Sequence, residues 1–340
     1  MPTQLDAQLG LKKEVTYGTA LTVDAFYPFT AESLAWIPEY AQGAGMRVGR
    51  RLNRADRDVL VKQSVGGEFT TEGVTRNLGK LFEAALGVGV STQIAASIAY
   101  QQLFTPTQTV LPSYTIQKGM PLLGSGAVSP VTFTGMVCGG FELSAENAGI
   151  PTITFPWVGR GIDTATALAT ASYPTGVELF SFVHGSIRLG GSVTVPTTTA
   201  LATGGTATAN IRNASISYDN GLDGEGFNFG GLGLRSRRPE VGMAAVSGNL
   251  VAEYDTNVLR DAWLAGTQLS LVLTFATTSA IVAANFPTLQ ITIPSIKLRG
   301  EIPLANGGDV VTQSIDFEAF DGGVAAQPIY VAIVTAETTI

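Results

Sequence analysis

Short runs of alternating apolar and polar residues recur along the chain and predict β-strands with one buried face. Gly, Asn, Asp and Pro separate these runs, as is usual in antiparallel β proteins. The clearest runs cover residues 152–155, 192–195, 215–218, 289–293 and 314–317. The pattern therefore predicts a mainly β chain.

One segment has the spacing of a helix instead. Its apolar side chains fall three or four positions apart, at Val74, Leu78, Leu81, Phe82 and Ala85. Gly87 is suited to end such a helix, because glycine adopts the left-handed conformation of a C-terminal cap at little cost. We expect one amphipathic helix over residues 72–87, covering one face of a sheet.

The second half of the chain repeats this strand-and-helix pattern. An offset of 181 positions relates Gly67 to Gly248, Glu72 to Glu253, Leu78 to Leu259 and Phe82 to Trp263. A constant offset over four anchors predicts a tandem duplication. We therefore expect two tandem β-sandwich or β-barrel domains, each with one flanking α-helix. The residues expected to pack these helices are Leu78, Leu81, Phe82, Leu259 and Trp263.

The duplication sets the expected domain boundaries. Residues 1–28 read as an N-terminal arm that becomes ordered on contact with a neighbour. Residues 29–170 and 171–322 form the two expected domains, and residues 323–340 form a C-terminal strand or arm.

The composition indicates how much of the protein surface is buried or apolar. Of the 340 residues, 45% are hydrophobic and only 14% are charged, and the mean hydropathy is +0.25. Such values fit a membrane protein or a subunit that buries much of its surface against copies of itself. The most apolar stretch, 269–286, is interrupted by serines and threonines, so no membrane-spanning helix is expected. Extensive protein interfaces are therefore the favoured interpretation.

The net charge of −7 argues against a protein that wraps nucleic acid through its phosphates. It is compatible with a passage through which DNA moves without sticking. The first 170 residues hold 13 acidic and 12 basic side chains, and the remaining 170 hold 14 and 8. Any acidic lining built from both halves is therefore expected to alternate in charge.

Few residues are suited to catalysis or metal binding. The chain has one histidine, His184, and one cysteine, Cys138, which exclude a His/Cys zinc site and an internal disulfide. The segment 73–81 resembles a phosphate-binding loop, but its glycines are wrongly spaced and Leu81 stands where Ser or Thr is needed. No catalytic residue, cofactor or metal is predicted.

Two charged clusters remain to be interpreted. An acidic turn with Asp219, Asp223 and Glu225 fits calcium less well than simple exposure, since its spacing is not that of an EF-hand. The basic residues are Arg47, Arg50, Arg51, Arg54 and Arg57 in the first half and Arg235, Arg237 and Arg238 in the second.

Three interpretations of these arginines are possible: they contact phosphates, they lie in a solvated loop, or they form polar contacts with another subunit. Asp56 and Asp58 interrupt the first cluster, which weakens the phosphate reading. Arginine forms two parallel hydrogen bonds with a carboxylate, so we favour subunit contacts.

Several segments resemble the major tail tube proteins of phages with long, non-contractile tails. The resemblance begins with residues 9–19 and 26–34 and continues through the first arginine cluster. It includes the strand 65–68 with its helix, and then residues 133–137, 171–174 and 180–182. It spans most of the chain and is carried by structural rather than catalytic motifs.

The resemblance implies a virion protein, made in the host cytoplasm, whose rings stack into a hollow tube that conducts the genome. It implies packed antiparallel sheets with one flanking helix, and inner sheets that join between neighbours around the lumen. Most members have one such fold per chain in hexameric rings, so a duplicated chain implies trimeric rings with pseudo-sixfold symmetry. The expected partners are other copies, the tape measure protein and other tail proteins, with no membrane and no specific DNA binding.

In this picture both arginine clusters and the acidic turn of residues 219–225 contact the next ring. Three alternatives remain. A distal-tail or baseplate ring protein would form one ring without polymerising. A β-sandwich adhesion module would need an aromatic-lined groove, which the scattered tryptophans do not indicate. A hydrolase would need a nucleophile and a base.

Overall fold

The computed structural model describes residues 3–49, 51–208, 210–300, 302 and 310–340, and these residues form 22 strands and two α-helices. This confirms the prediction of a mainly β chain. The strands are β1 (Gln8–Lys13), β2 (Ala25–Phe26), β3 (Ala31–Glu32), β4 (Ala35–Gln42), β5 (Asp58–Glu72), β6 (Gly87–Gln93), β7 (Tyr100–Pro106), β8 (Tyr114–Pro121), β9 (Val128–Cys138), β10 (Gly140–Ala145), β11 (Thr152–Gly159), β12 (Gly161–Asp163), β13 (Gly185–Leu189), β14 (Val193–Thr194), β15 (Thr203–Gly204), β16 (Ala207–Thr208), β17 (Ile211–Asp219), β18 (Ala245–Glu253), β19 (Gln268–Ala276), β20 (Thr288–Gly300), β21 (Thr312–Ala319) and β22 (Tyr330–Thr335). The helices are α1 (Gly79–Leu86) and α2 (Val258–Leu264), and short 3-10 helices cover Gln4–Asp6, Ala55–Arg57 and Phe182–His184.

Eight consecutive antiparallel positions form what we call the eight-strand sheet. Its order is β4 (preceded by β3), β5, β11, β10, β17, β18, β21 and the C-terminal half of β20. The ladder between β10 and β17 joins the two halves of the chain, with Leu143 opposite Ile216. The sheet therefore continues without a break from the first half of the sequence into the second.

A second sheet, the seven-strand sheet, has the order β6, β7, β22, β20 (N-terminal half), β19, β13 and β16. The C-terminal strand β22 is an interior strand of this sheet, where Ile333 stands opposite Gln102 on one side and Leu289 on the other. Strand β20 is long enough to belong to both sheets. The predicted strand at 192–195 is only the two-residue β14, which pairs with β15 outside these sheets.

The N-terminal segment differs from the expected arm. Strand β1 pairs with β2 and along its full length with β8 of the same chain, and Leu9 and Leu11 are buried. Together with β9 and β12 these strands form a third layer. Residues 8–13 are therefore ordered within the chain itself, because their alternate apolar side chains reach its core.

Helix α1 packs between the layers. The Phe82 ring lies 6.1 Å from that of Phe104 on β7, 5.2 Å from Phe141 on β10 and 5.8 Å from Phe155 on β11. Gly87 ends the helix with a φ of 89°, and its N–H donates to the Glu83 carbonyl, as a C-terminal cap requires. None of the helices in the described part of the chain is long and apolar enough to cross a membrane.

The helix is shorter than predicted. It begins at Gly79 rather than at residue 72, because β5 continues to Glu72 and the chain then forms a bridge between Val74 and Leu179. Asn77 has a φ of 66°, which no α-helix tolerates. Helical spacing at Val74 was therefore misleading.

The repeated pattern has a structural counterpart. Strands β5 and β18 end at positions 181 apart, Glu72 and Glu253. A helix follows each of them, and strands β6 and β19 then begin at Gly87 and Gln268, again 181 apart. The order strand, helix, strand thus occurs twice at the spacing seen in the sequence.

Candidate assembly surface

The two faces of the eight-strand sheet differ sharply in polarity. One face supplies aromatic and aliphatic side chains to the core, among them Phe69, Trp157, Tyr218 and Phe317. The opposite face carries mainly small hydroxyl and amide side chains. Across it the Thr70 and Thr154 hydroxyls lie 2.8 Å apart, as expected for cross-strand neighbours.

Carboxylates dominate the charge of this polar face. Asn249 Nδ2 donates to Asp316 Oδ1 at 2.6 Å, and two ion pairs, Arg212–Glu253 and Arg299–Glu318, flank it. By alternation along the strands, the acidic residues of the face are Glu39, Glu68, Glu72, Glu142, Asp219, Glu253, Asp316 and Glu318, and its basic residues are Lys62, Lys297 and Arg299. Arg212 stands in a bulge of β17 and joins this face through its ion pair with Glu253. The face is therefore wide, hydrophilic and net negative.

Both ends of the eight-strand sheet are open edges. Within the described residues, β3 and β4 pair on one side only, with β5. At the other end, Leu298, Arg299 and Gly300 of β20 pair with β21 on one side only. Unpaired strand edges expose rows of N–H and C=O groups that favour pairing with another strand.

Strands β4 and β5 extend beyond the core as a two-stranded ribbon with a long loop, residues 43–57. The ribbon and loop expose apolar side chains, including Ile37, Tyr40, Met46, Val48 and Leu52. Large exposed apolar patches mark interaction sites. The exposed apolar side chains of this hairpin therefore make it a candidate contact surface.

The first arginine cluster lies in this loop. Arg54 and Asp56 form an ion pair, and the Arg57 carbonyl accepts a hydrogen bond from Gly43 N–H at 2.9 Å. Arg47 and Arg51 are exposed and form no ion pair within the described part of the chain. Arg50 lies outside the described residues.

The second arginine cluster is bound within its own chain. Arg237 Nη2 donates to Asp223 Oδ2 at 2.6 Å, which holds the pKa of that carboxyl below its ordinary value. Arg238 Nη1 donates to the Leu111 carbonyl at 3.3 Å. Arg235 is buried, donates to the Glu225 carbonyl and to the Gly224 carbonyl at 3.0 Å, and stacks over Phe227.

The loop that carries this cluster, residues 220–244, rests on the first half of the chain. Gln63 N–H donates to the Gly233 carbonyl at 2.8 Å, and Arg160 Nε donates to the Arg235 carbonyl at 2.8 Å. Tyr17 lies beside Arg235, and its burial raises its pKa to about 12. The tip of the loop still exposes Phe229 and Leu232, and Met243 is exposed near its base.

The predicted acidic residues take different positions. Asp219 ends β17 on the polar face and accepts a hydrogen bond from Gly221 N–H at 2.9 Å. Asp223 is paired with Arg237, and Glu225 offers its carbonyl to Arg235. In the described residues no group of three or more His, Cys, Asp or Glu side chains is arranged to hold a metal ion.

The helix residues also differ between the halves. Leu78, Leu81 and Phe82 are completely buried, whereas Leu259 and Trp263 are partly buried at the margin of the core. Cys138 is buried, which raises its pKa to about 12, and its Sγ–H donates to the Gly140 carbonyl. Cys138 therefore acts as a buried structural residue rather than a reactive thiol.

One polar cluster was missed by sequence reasoning. Lys118 Nζ lies 3.1 Å from both carboxylate oxygens of Glu32 and 2.7 Å from the Leu34 carbonyl oxygen. The two charged residues are 86 positions apart, so no local pattern connects them.

A comparison with protein families identifies the family to which this chain belongs. The model of a family described as phage tail tube protein matches residues 4–319. This chain belongs to that family. No curated protein sequence matches it.

Membership in the phage tail tube family makes the chain a structural protein of the virion. Tail tube proteins assemble with copies of themselves and with other tail proteins. For a tail tube protein, the open edges and the polar face described above are the surfaces of interest.

Proposed function

We propose that this chain forms rings that stack into the tube of a long, non-contractile phage tail, and that DNA passes through the tube. The observation that carries the proposal is the β10–β17 ladder. It joins the last strand of one four-strand set to the first strand of the next, side by side in one sheet. Joining the two open edges in the same way between chains would close a ring.

Three chains give a ring of suitable width. With strands about 4.8 Å apart and tilted about 40°, a barrel of 24 strands is about 48 Å across at the backbone. Side chains of about 5 Å on each wall leave about 38 Å. Two chains, or 16 strands, would leave about 22 Å, which barely exceeds the width of a DNA duplex of about 20 Å. We therefore propose the trimeric ring with pseudo-sixfold symmetry.

The polar face of the eight-strand sheet is proposed to line the lumen. Hydroxyl and amide groups keep such a wall wetted, and its carboxylates repel phosphates, so DNA can slide without binding. The core face must point outward, since it is covered by α1 and the seven-strand sheet. Acidic and mixed-charge stretches then alternate around the channel.

The hairpin of β4 and β5 is proposed to reach the adjacent ring. Its loop carries Arg47 and Arg51, which have no ion-pair partner within the described residues and can pair with carboxylates there. The second loop is proposed to add its exposed Phe229 and Leu232 to the same contact, while its arginines hold the loop in shape. The tape measure protein would occupy the lumen before DNA does.

Microscopy of the purified chain tests the proposal. Negative-stain images at increasing protein concentration should show hollow tubes of uniform width built from stacked rings. Single rings that never stack would instead indicate a distal-tail or baseplate protein. Monomers at every concentration, with retained β circular dichroism, would contradict the proposal.

A further inference from the structure

The Glu32–Lys118 pair lies at one open edge of the eight-strand sheet. Ser33 N–H donates to the Glu68 carbonyl at 2.8 Å, so residue 33 faces β5. In an antiparallel strand the next residue directs its N–H and C=O to the opposite side. Leu34 therefore presents both groups to the open edge.

Side chains of the same molecule form hydrogen bonds with the N–H and C=O of Leu34. The Leu34 N–H donates to Glu32 Oε2 at 3.0 Å, and the Leu34 C=O accepts from Lys118 Nζ at 2.7 Å. The pair is largely enclosed, with Glu32 14% and Lys118 17% exposed, and the Lys118 ammonium lies 5.7 Å from the Phe133 ring centre. Lys118 belongs to β8 in the third layer, so the contact bridges two layers.

The second half of the chain contains a position equivalent to Leu34 at which a neighbouring strand is paired. Ser215 Oγ accepts a hydrogen bond from Asn249 N–H just as Ser33 Oγ does from Glu68 N–H. Ser215 is therefore the counterpart of Ser33, and Ile216 that of Leu34. Ile216 is paired with Leu143 of β10. In the first half, the Glu32–Lys118 ion pair takes the place that β10 has beside Ile216.

We propose that the Glu32–Lys118 pair is a removable clamp on the open edge, and that a second copy of the chain displaces it when the ring forms. This rests on the proposed self-assembly and specifies its contact. The clamp satisfies Leu34 in the free subunit and blocks uncontrolled pairing, a known hazard of sheet edges. Carried over from the β10–β17 ladder, the register places Arg299 of a second copy opposite Ile37. Extending that strand two residues past the end of β20 at Gly300 places Ile302 of the second copy opposite Leu34.

Cross-linking tests the register. Ile37→Cys with Arg299→Cys should give a disulfide between chains in assembled tubes, since opposed residues that are not hydrogen-bonded to each other have Cα atoms about 4.5 Å apart. Glu39→Cys with Arg299→Cys, two residues out of register, should not cross-link. Glu142→Cys with Ser217→Cys, opposed in the internal ladder, is the positive control within one chain. The buried Cys138 does not compete.

Assembly kinetics test the clamp. The double variant Glu32→Gln/Lys118→Met removes both charges together and should shorten the lag before tubes form by about tenfold, because charge-assisted hydrogen bonds no longer need to break. Lys12→Met, which removes an exposed ion pair with Asp24 in the third layer, should leave the lag unchanged. Melting curves confirm that both variants are folded.

The outcomes separate the two proposals. If the folded double variant forms tubes with an unchanged or longer lag, the clamp is overturned. If the shifted cysteine pair cross-links in place of the predicted pair, the register is overturned. Neither result contradicts the proposed tube. Failure of the wild-type chain to form any ring would instead overturn the proposed function.

Discussion

Trp263 occupies the position in helix α2 that Phe82 occupies in helix α1, yet only Phe82 is completely enclosed. Phe82 touches aromatic rings of three strands from two layers. Trp263 lies at the margin of the core. The two helices therefore differ in how firmly they hold their sheets together.

This difference predicts unequal costs of truncation. Phe82→Ala should lower the free energy of unfolding by about 3–5 kcal/mol, as expected for a buried aromatic ring that leaves a cavity. Trp263→Ala should cost only about 1–2 kcal/mol, because a partly exposed ring loses less buried area. Urea unfolding monitored by circular dichroism measures both. Equal losses would show that α2 is packed as tightly as α1.

Gly248 is predicted to be intolerant of any side chain. A Cβ there would lie 2.1 Å from the Ser215 carbonyl oxygen and 2.5 Å from the Phe317 ring. Gly248→Ala should therefore destabilise the chain by about 1–3 kcal/mol, the usual cost of overpacking. Gly139→Ala is the matched control, since its Cβ would be no closer than 3.5 Å to any neighbour. The two melting temperatures should differ clearly, and similar values would refute the close approach.

Arg235 is predicted to hold the loop 220–244 in place. Arg235→Ala removes donors to two loop carbonyls and the stacking over Phe227, which leaves those acceptors unpaired. Limited chymotrypsin digestion should cleave faster after the exposed Phe229. Arg238→Ala removes one longer hydrogen bond and should change the rate little. Equal rates for wild type and Arg235→Ala would exclude an anchoring role.

Glu337 is predicted to weaken the fold when it ionises. Burial raises its pKa above its ordinary value of 4.5, although the Asn77 N–H donates to it at 2.8 Å. Because the folded state binds this proton more tightly than the unfolded state, stability falls as the pH rises past 4.5. Glu337→Gln should therefore melt higher than wild type at pH 7 and equally at pH 4. The exposed Glu146→Gln is the control, and a gain that does not depend on pH would contradict this cause.

The sequence predicted features that depend on local spacing. Alternation identified β11, β17, β20 and β21, and the glycine at position 87 identified the helix end, because strand period and left-handed caps are properties of neighbouring residues. The start of α1 was wrong because Val74, although at helical spacing, bridges to Leu179 far along the chain.

Long-range pairing could not be predicted in the same way. Nothing near Tyr330 indicates that β22 enters between β7 and β20, and β10 pairs with a strand about 70 residues later. The burial of an arginine could not be predicted either. The sequence places Arg235 in a basic cluster, but only the fold shows that its side chain is buried beneath its own loop. The Glu32–Lys118 contact joins two layers and has no sequence signature.

Electron cryomicroscopy of assembled tubes tests the central claim most directly. The reconstruction should show three chains per ring, a continuous barrel of 24 strands, and Glu142 and Asp316 facing the lumen. Six chains per ring, or a tube whose lumen is lined by the seven-strand sheet, would contradict the account.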